Sequence, residues 1–199
     1  MKGEKGEKRK QELLRIAYQM FIQKGYEETS IDEIIADAHI AKGTYYYHFP
    51  SKEALLEEVI NMMIEDEVGR AKEVVSAPIP VPQKLVGVIV SLRPQQDESS
   101  IANALNQKEN LIMHEKISRR IVEEAVPLLA EVVEQGIVQG MFVCDHIQER
   151  VRMILIMSQH LFDSGDFTEG DIEVFIDMAE KTLGAESGTL GFIRQLISK

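Results

Sequence analysis

Lys42, Gly43, Tyr46 and Tyr47 stand in the segment AKGTYYYHFPSK, residues 41–52. Lys42 and Tyr46 are one helical turn apart, as are Gly43 and Tyr47, so a helix here presents all four on one face. The chemistry such a face supports is recognition of nucleic acid. A lysine gives a point charge to phosphate or to a base acceptor, and a glycine lets the backbone approach the groove wall. A tyrosine offers a flat apolar body to thymine methyls and a hydroxyl to phosphate. Lys52, just beyond Pro50, adds a charge beside the free amides of a helix start, a suitable partner for a phosphate. The run Tyr45 to His48 covers every side of a helix, so at least two of these four side chains must face outward.

Other chemistry is sparsely represented. Cys144, Asp145 and His146 are consecutive, but neighbours in sequence rarely converge on one tetrahedral metal, and no second Cys/His cluster follows. No metal site is expected, and thiol sensing at Cys144 stays open. The chain has no nucleophile–base spacing and no phosphate loop, so no enzyme activity, no catalytic residue and no cofactor is expected. Met62, Met63, Met113, Met141, Met153, Met157 and Met178, with Leu105, Ile112 and Phe142, suit either core or an adaptable apolar pocket. The sequence therefore leaves the ligand-binding residues unknown.

The elements that must carry the Lys42–Tyr47 face follow from periodicity and punctuation. A first helix is expected over 8–24, with Leu13, Ile16, Ala17, Met20 and Phe21 as its apolar stripe and Gly25 as a left-handed terminator. Thr29 and Ser30 precede a second stripe of Ile31, Ile34, Ile35 and Ala38, and Glu33 completes a capping box with Ser30. A third short helix starts at Ala41 or Lys42 and ends near Phe49, because Pro50 cannot continue it. Two helices joined by so short a turn form a helix-turn-helix, whose second helix can enter the DNA major groove. Ser51 then opens a long fourth helix reaching about Val75.

Beyond it, Pro78, Pro80 and Pro82 mark a loop. Residues 85–92 read as a buried helix or a strand, and further helices are expected over 101–107, 112–139, 147–162, 169–183 and 190–197. Pro127 should kink or break the longest of these. Val151, Ile154, Leu155, Ser158, Leu161 and Phe162 form one late stripe, and Ile172, Phe175, Ile176, Ala179 and Leu183 another, which suits a four-helix interface between two copies. The expected fold is all-α: a three-helix head over residues 1–50, joined by a long helix to a helical ligand-binding and dimerisation body over 51–199.

Charge agrees once it is divided. The chain carries −11 in total, but residues 1–52 hold nine Lys/Arg and eight Asp/Glu, whereas the remainder holds thirteen and twenty-five. Phosphate attraction is local, since screening sets in at about 10 Å, so an acidic body does not prevent binding by a neutral head. Lys2, Lys5, Lys8, Arg9 and Lys10 form a basic tail that can follow the DNA backbone or minor groove. No apolar run reaches the roughly 20 residues of a membrane span, no signal-peptide pattern opens the chain, and one cysteine excludes an internal disulfide. A cytoplasmic location is expected.

The segment FIQKGYEETSIDEIIADAHIAKGTYYYHFPSKEALL, residues 21–56, resembles the TetR family of bacterial transcriptional regulators, and QGMF at 139–142 is similar to that family's body. The resemblance implies a homodimeric repressor whose heads dock in successive major grooves of a double-stranded operator. It also implies release by a small-molecule effector bound in the body. By position it assigns Lys42, Gly43, Tyr46 and Tyr47 to bases and nearby backbone, and Thr29, Thr44, His48 and Lys52 to phosphates. Three residues depart from the family pattern. His39 replaces the turn glycine and Ala41 a capping serine or threonine; Tyr45 replaces a core leucine. A helical adaptor of the same fold that does not bind DNA is the alternative.

Overall fold

A computed structural model of the chain describes residues 2–162 and 166–197. Among the described residues it is all-helical: α1 Lys2–Lys24, α2 Ile31–Asp37, α3 Lys42–His48, α4 Lys52–Ser76, α5 Val81–Ser91, α6 Ser99–Leu105, α7 Leu111–Val138, α8 Ile147–Phe162, α9 Glu169–Leu183 and α10 Ile193–Ile197. The chain packs as two compact units. One comprises Met1–Asp66 with Pro94–Ser118, the other Glu67–Arg93 with Arg119–Lys199.

The first unit is built on α1. Leu13, Leu14, Ala17 and Phe21 are buried, together with Ile34, Ala38, Tyr45, Phe49, Leu55, Leu56 and Val59 from the next three helices. Each large side chain so buried stabilises the fold by about 1.5–3 kcal/mol. Phe21 meets Tyr26 edge to face at 5.2 Å. Gly25 takes φ 96° and ends α1, as a left-handed terminator does. Ser30 caps α2: its hydroxyl accepts from the Glu33 amide at 3.2 Å, and its own amide donates to the Glu33 carboxylate at 2.8 Å.

Residues 94–118 pack with these helices, a grouping that the division at residue 50 does not describe. The physical reason lies at the end of α1. The Ser100 hydroxyl donates to the Phe21 carbonyl at 3.0 Å and accepts from the Tyr26 amide at 3.2 Å. The Tyr18 hydroxyl donates to the buried Glu98 carboxylate at 2.8 Å. Ser100 of α6 thus satisfies the Tyr26 amide and gives a second donor to the Phe21 carbonyl, which also accepts from the Gly25 amide.

In the second unit the buried Lys84 of α5 donates to the Val75 carbonyl and to Gln135 Oε1, each at 2.7 Å. It therefore ties the last turn of α4 to α7, where a cation suits the carbonyl end of a helix. The buried Glu180 carboxylate accepts from the amides of Gly188 and Leu190 at 3.0 and 2.8 Å and holds the turn ahead of α10. Arg150 donates to the carbonyls of Asp145 and Thr182, joining the start of α8 to the end of α9.

Several expected boundaries move. Helix α1 starts at Lys2, since Gly3 and Gly6 do not interrupt it. The 85–92 segment is helix, not strand, and begins earlier because Pro82 sits in its first turn, where a missing amide costs nothing. Helix α7 passes Pro127 without a break, with its flanking residues Val126 and Leu128 packed into the core. Helix α10 begins at Ile193, after turns over 187–192.

Candidate nucleic-acid interface and an internal cavity

The turn before α3 is set by His39, which adopts φ 50°, the left-handed conformation a glycine takes more cheaply. Helix α3 then begins at Lys42, with Ala41 at the capping position and no side-chain cap. Its inner face is aromatic. Tyr45 and Phe49 are fully buried, 5.9 Å apart, and the Tyr45 hydroxyl reaches the Ser51 carbonyl at 3.4 Å. Burial pushes the Tyr45 phenol up to about 12, with Tyr46 and Glu53 adding to it, so it stays neutral.

With Tyr45 and Phe49 turned inward, the rest of the helix faces solvent. Tyr46 is 45% exposed and Tyr47 82%. Lys42 and Gly43 lie on the exposed side, and Thr44 and His48 are half-buried along its edges. The Tyr47 ring meets His48 edge to face at 5.0 Å, which limits where it can swing. A Cβ built on Gly43 meets nothing within 4 Å, and its backbone is helical. Nothing inside the protein requires glycine there, although glycine costs a helix about 1 kcal/mol.

Two lysines flank the helix. Lys42 Nζ lies 3.1 Å from Asp32 Oδ1, and that hydrogen bond and charge hold its pKa above the ordinary lysine value. Lys52 Nζ sits 4.2 Å over the Tyr26 ring and donates to the Glu27 carbonyl at 3.3 Å. Burial lowers its pKa, against nearby glutamates that raise it. The Ser51 hydroxyl accepts from the Ala54 amide at 3.1 Å and caps α4 beside Lys52.

Seven of the eight expected residues thus gather on α3 and the first turn of α4. Thr29 does not join them: it is 1% exposed, and its hydroxyl donates to the Gly25 carbonyl at 2.7 Å. Its side chain secures the bend between α1 and α2. Asp32 was not legible as a member of this surface, because ten residues separate it from Lys42 and no helical period links them. In the basic tail Lys8 is exposed, Arg9 pairs with Glu12 at 2.7 Å and Lys10 with Glu58 at 2.9 Å. The side chains of Lys2 and Lys5 lie outside the described residues.

The second unit holds a cavity of about 830 Å³, partly open to solvent, among α5, α7, α8, α9 and α10. Its wall is predominantly aliphatic and aromatic. Phe162 meets Phe167 and Phe175 edge to face at 5.0 and 5.2 Å, and Phe192 completes the aromatic part. Arg93, Ser158 and Gln159 are its polar members. None of the candidate methionines lines it, and Phe142 is buried against Gly136 instead.

The two late stripes also find a different place. Val151, Ile154, Leu155, Ser158 and Phe162, with Phe175, Ala179 and Leu183, face this cavity, and Ile172 and Ile176 are buried. Of these, Val151, Phe175, Ala179 and Leu183 are buried, whereas Ile154, Leu155, Ser158 and Phe162 are half-buried. The exposed apolar residues of α8 and α9 are Met153, Ile156, Val174 and Met178. Cys144 is half-buried, and burial raises its thiol pKa, which keeps it protonated. Among the described residues no three metal-ligating side chains converge, and no helix is long and apolar enough to cross a membrane.

Residues 13–59 match the family model described as bacterial regulatory proteins, tetR family, and residues 94–180 match a tetracyclin repressor-like C-terminal domain. The HTH-type transcriptional repressor KstR2 of Rhodococcus jostii is 29% identical over 141 residues, 69% of each chain. A transcriptional regulator from Cytophaga hutchinsonii has the same fold, with a TM-score of 0.62 at 18% identity over 95% of this chain and 98% of that one. RolR, solved in complex with resorcinol, also scores 0.62, at 16% identity over 99% of this chain and 96% of its own. The first family model spans the α2–α3 surface, and this chain belongs to the TetR family as a DNA-binding transcriptional regulator.

Proposed function

We propose that this regulator is a repressor that meets its operator with α3 and the first turn of α4. One observation carries the reading: two tyrosines of a single short helix are held in solvent while a third tyrosine and a phenylalanine anchor its other side. Two exposed tyrosines beside an exposed lysine on one short helix present a surface that suits a nucleic-acid partner. Lys42, Gly43, Tyr46 and Tyr47 meet bases and adjacent backbone; Thr44, His48 and Lys52 meet phosphates, and Thr29 supports them from below. Gly43, which no internal contact requires, fits a helix whose backbone closes on the groove.

In the same reading residues 1–50 act as the DNA-binding domain and 51–199 as the effector and dimerisation domain, in the cytoplasm and without enzymatic activity. Two copies pair through Met153, Ile156, Val174 and Met178, the apolar side chains that α8 and α9 leave exposed. A small molecule enters the cavity of the second unit, a site of ordinary ligand size and apolar lining. Operator and effector favour different arrangements of the paired heads, so each weakens the other's binding by one common factor.

Fluorescence anisotropy on duplexes selected from random DNA, run over a salt series with a scrambled control, tests the reading. Sequence-dependent binding that weakens with salt is expected. Tyr47→Ala should reduce operator affinity at least tenfold, the scale of about 1.4 kcal/mol, with the thermal midpoint unchanged because the side chain supports no core. Wild-type affinity in that variant would remove α3 from the interface, and failure to select any sequence would favour the adaptor.

A further inference from the structure

The wall of the cavity and the surface of its unit have opposite charge. Residues 67–93 and 119–199 carry sixteen Asp/Glu and eleven Lys/Arg. Among the described residues not one of those carboxylates lines the cavity, and the single charged side chain that does is the cation Arg93. The other polar wall groups, Ser158 and Gln159, are neutral, and the Ser158 hydroxyl already donates to the Leu155 carbonyl at 2.8 Å. Arg93 is exposed, at the end of the α5 segment, whereas Phe175, Leu183 and Leu190 on the same wall are buried. Polarity is therefore graded, from a cationic solvent-facing edge to an apolar wall in which Phe175, Leu183 and Leu190 are buried.

We infer that the cavity takes an anionic amphiphile, an elongated apolar molecule with one terminal acidic group held by Arg93. This rests on the reading of the cavity as the effector site and adds the chemical class. The planar guanidinium forms two parallel hydrogen bonds to a carboxylate, and its exposed position leaves the anion partly hydrated. The apolar body gains the burial term against the aliphatic and phenylalanine wall. A cationic amphiphile finds no carboxylate among the described lining residues to neutralise it, and a neutral one gains nothing from the Arg93 charge.

Calorimetric titration of the full chain without DNA tests the inference, using decanoate, decanol and decyltrimethylammonium below their aggregation concentrations. Decanoate should bind at least tenfold tighter than either partner of equal chain length, and Arg93→Gln should erase most of that preference while leaving decanol unchanged. Equal affinity of the three in the wild type, tighter binding of the cation, or no decanoate binding overturns the ligand class, whatever the fate of the variant. Adding decanoate to the operator complex separates the two readings. Arg93-dependent binding that leaves the operator complex intact upholds the class and rejects the effector role.

Discussion

At the residue scale, the surface of α3 combines attraction with a built-in restraint. Tyr47 is the side chain with most to offer a partner and least to lose from the fold, since it is exposed and touches mainly His48. Lys42 is different, because Asp32 already holds it at 3.1 Å with both side chains in solvent. A carboxylate at that place neutralises the lysine and repels phosphate. Exposed pairs of this kind are worth about 0.2–1 kcal/mol, so the restraint is modest and easily lifted. Asp32→Asn should tighten operator binding about two- to fivefold at low salt and make the salt dependence steeper, because one more cation displaces counterions. Anisotropy titrations at three salt concentrations read both effects, and an unchanged or weakened affinity would mean that the pair positions Lys42 for DNA.

The elements of the head depend on their ends more than on their lengths, since α2 and α3 have seven residues each. Helices so short do not hold by propensity alone. Helix α2 is secured by its capping box and by the Lys24–Glu33 pair at 2.5 Å. Lys24 and then Ser30 bring the Glu33 carboxyl down to about 2 from its ordinary 4.5. A pKa depressed by folding contributes stability that is complete above the unfolded value and fades as pH falls through the folded one. The head should therefore lose stability between about pH 4.5 and pH 2, partly through this one group. Glu33→Gln should lower the thermal midpoint at neutral pH and flatten the acid limb over that window. An acid limb identical to wild type would assign the pH dependence to other carboxylates. Helix α3 has the opposite provision: Ala41 supplies no cap, worth about 1 kcal/mol, and His39 holds a left-handed turn. Its stability comes from Tyr45 and Phe49 in the core, which is why the tyrosine that replaces a smaller core residue is tolerated.

For the whole molecule, the question is which apolar residues close the interior and which remain for a partner. Both sets lie on α8 and α9 at helical spacing. The inward set lines the cavity or is buried, and the outward set consists of Met153, Ile156, Val174 and Met178. On the proposed pairing, Ile156→Glu should leave the protein monomeric in analytical ultracentrifugation and weaken operator binding by more than tenfold, because the two heads no longer act as one ligand. Leu183, buried on the other side, should instead cost fold stability when cut to alanine, by about 2–5 kcal/mol. A dimeric Ile156→Glu protein would place the interface on another face.

The sequence by itself determined the helical class, the helix-turn-helix and nearly every residue of the candidate surface. These are local matters: Ser30 and Glu33 meet within one turn, Pro50 stops a helix wherever it stands, and four adjacent large polar and aromatic residues cannot all be buried. The departure at His39 was visible as a residue type, but whether the residue would turn left-handed or the turn itself would differ was settled only by the backbone. Three things were decided only by tertiary structure. The Thr29 hydroxyl is turned inward by the Gly25 carbonyl, the segment around Ser100 is drawn to the end of α1, and the late apolar stripes surround a cavity. Periodicity gives a helix a buried side but does not say what lies opposite it. A neighbouring helix, a second subunit and a ligand all bury apolar area alike, and only the positions of the other elements distinguish them.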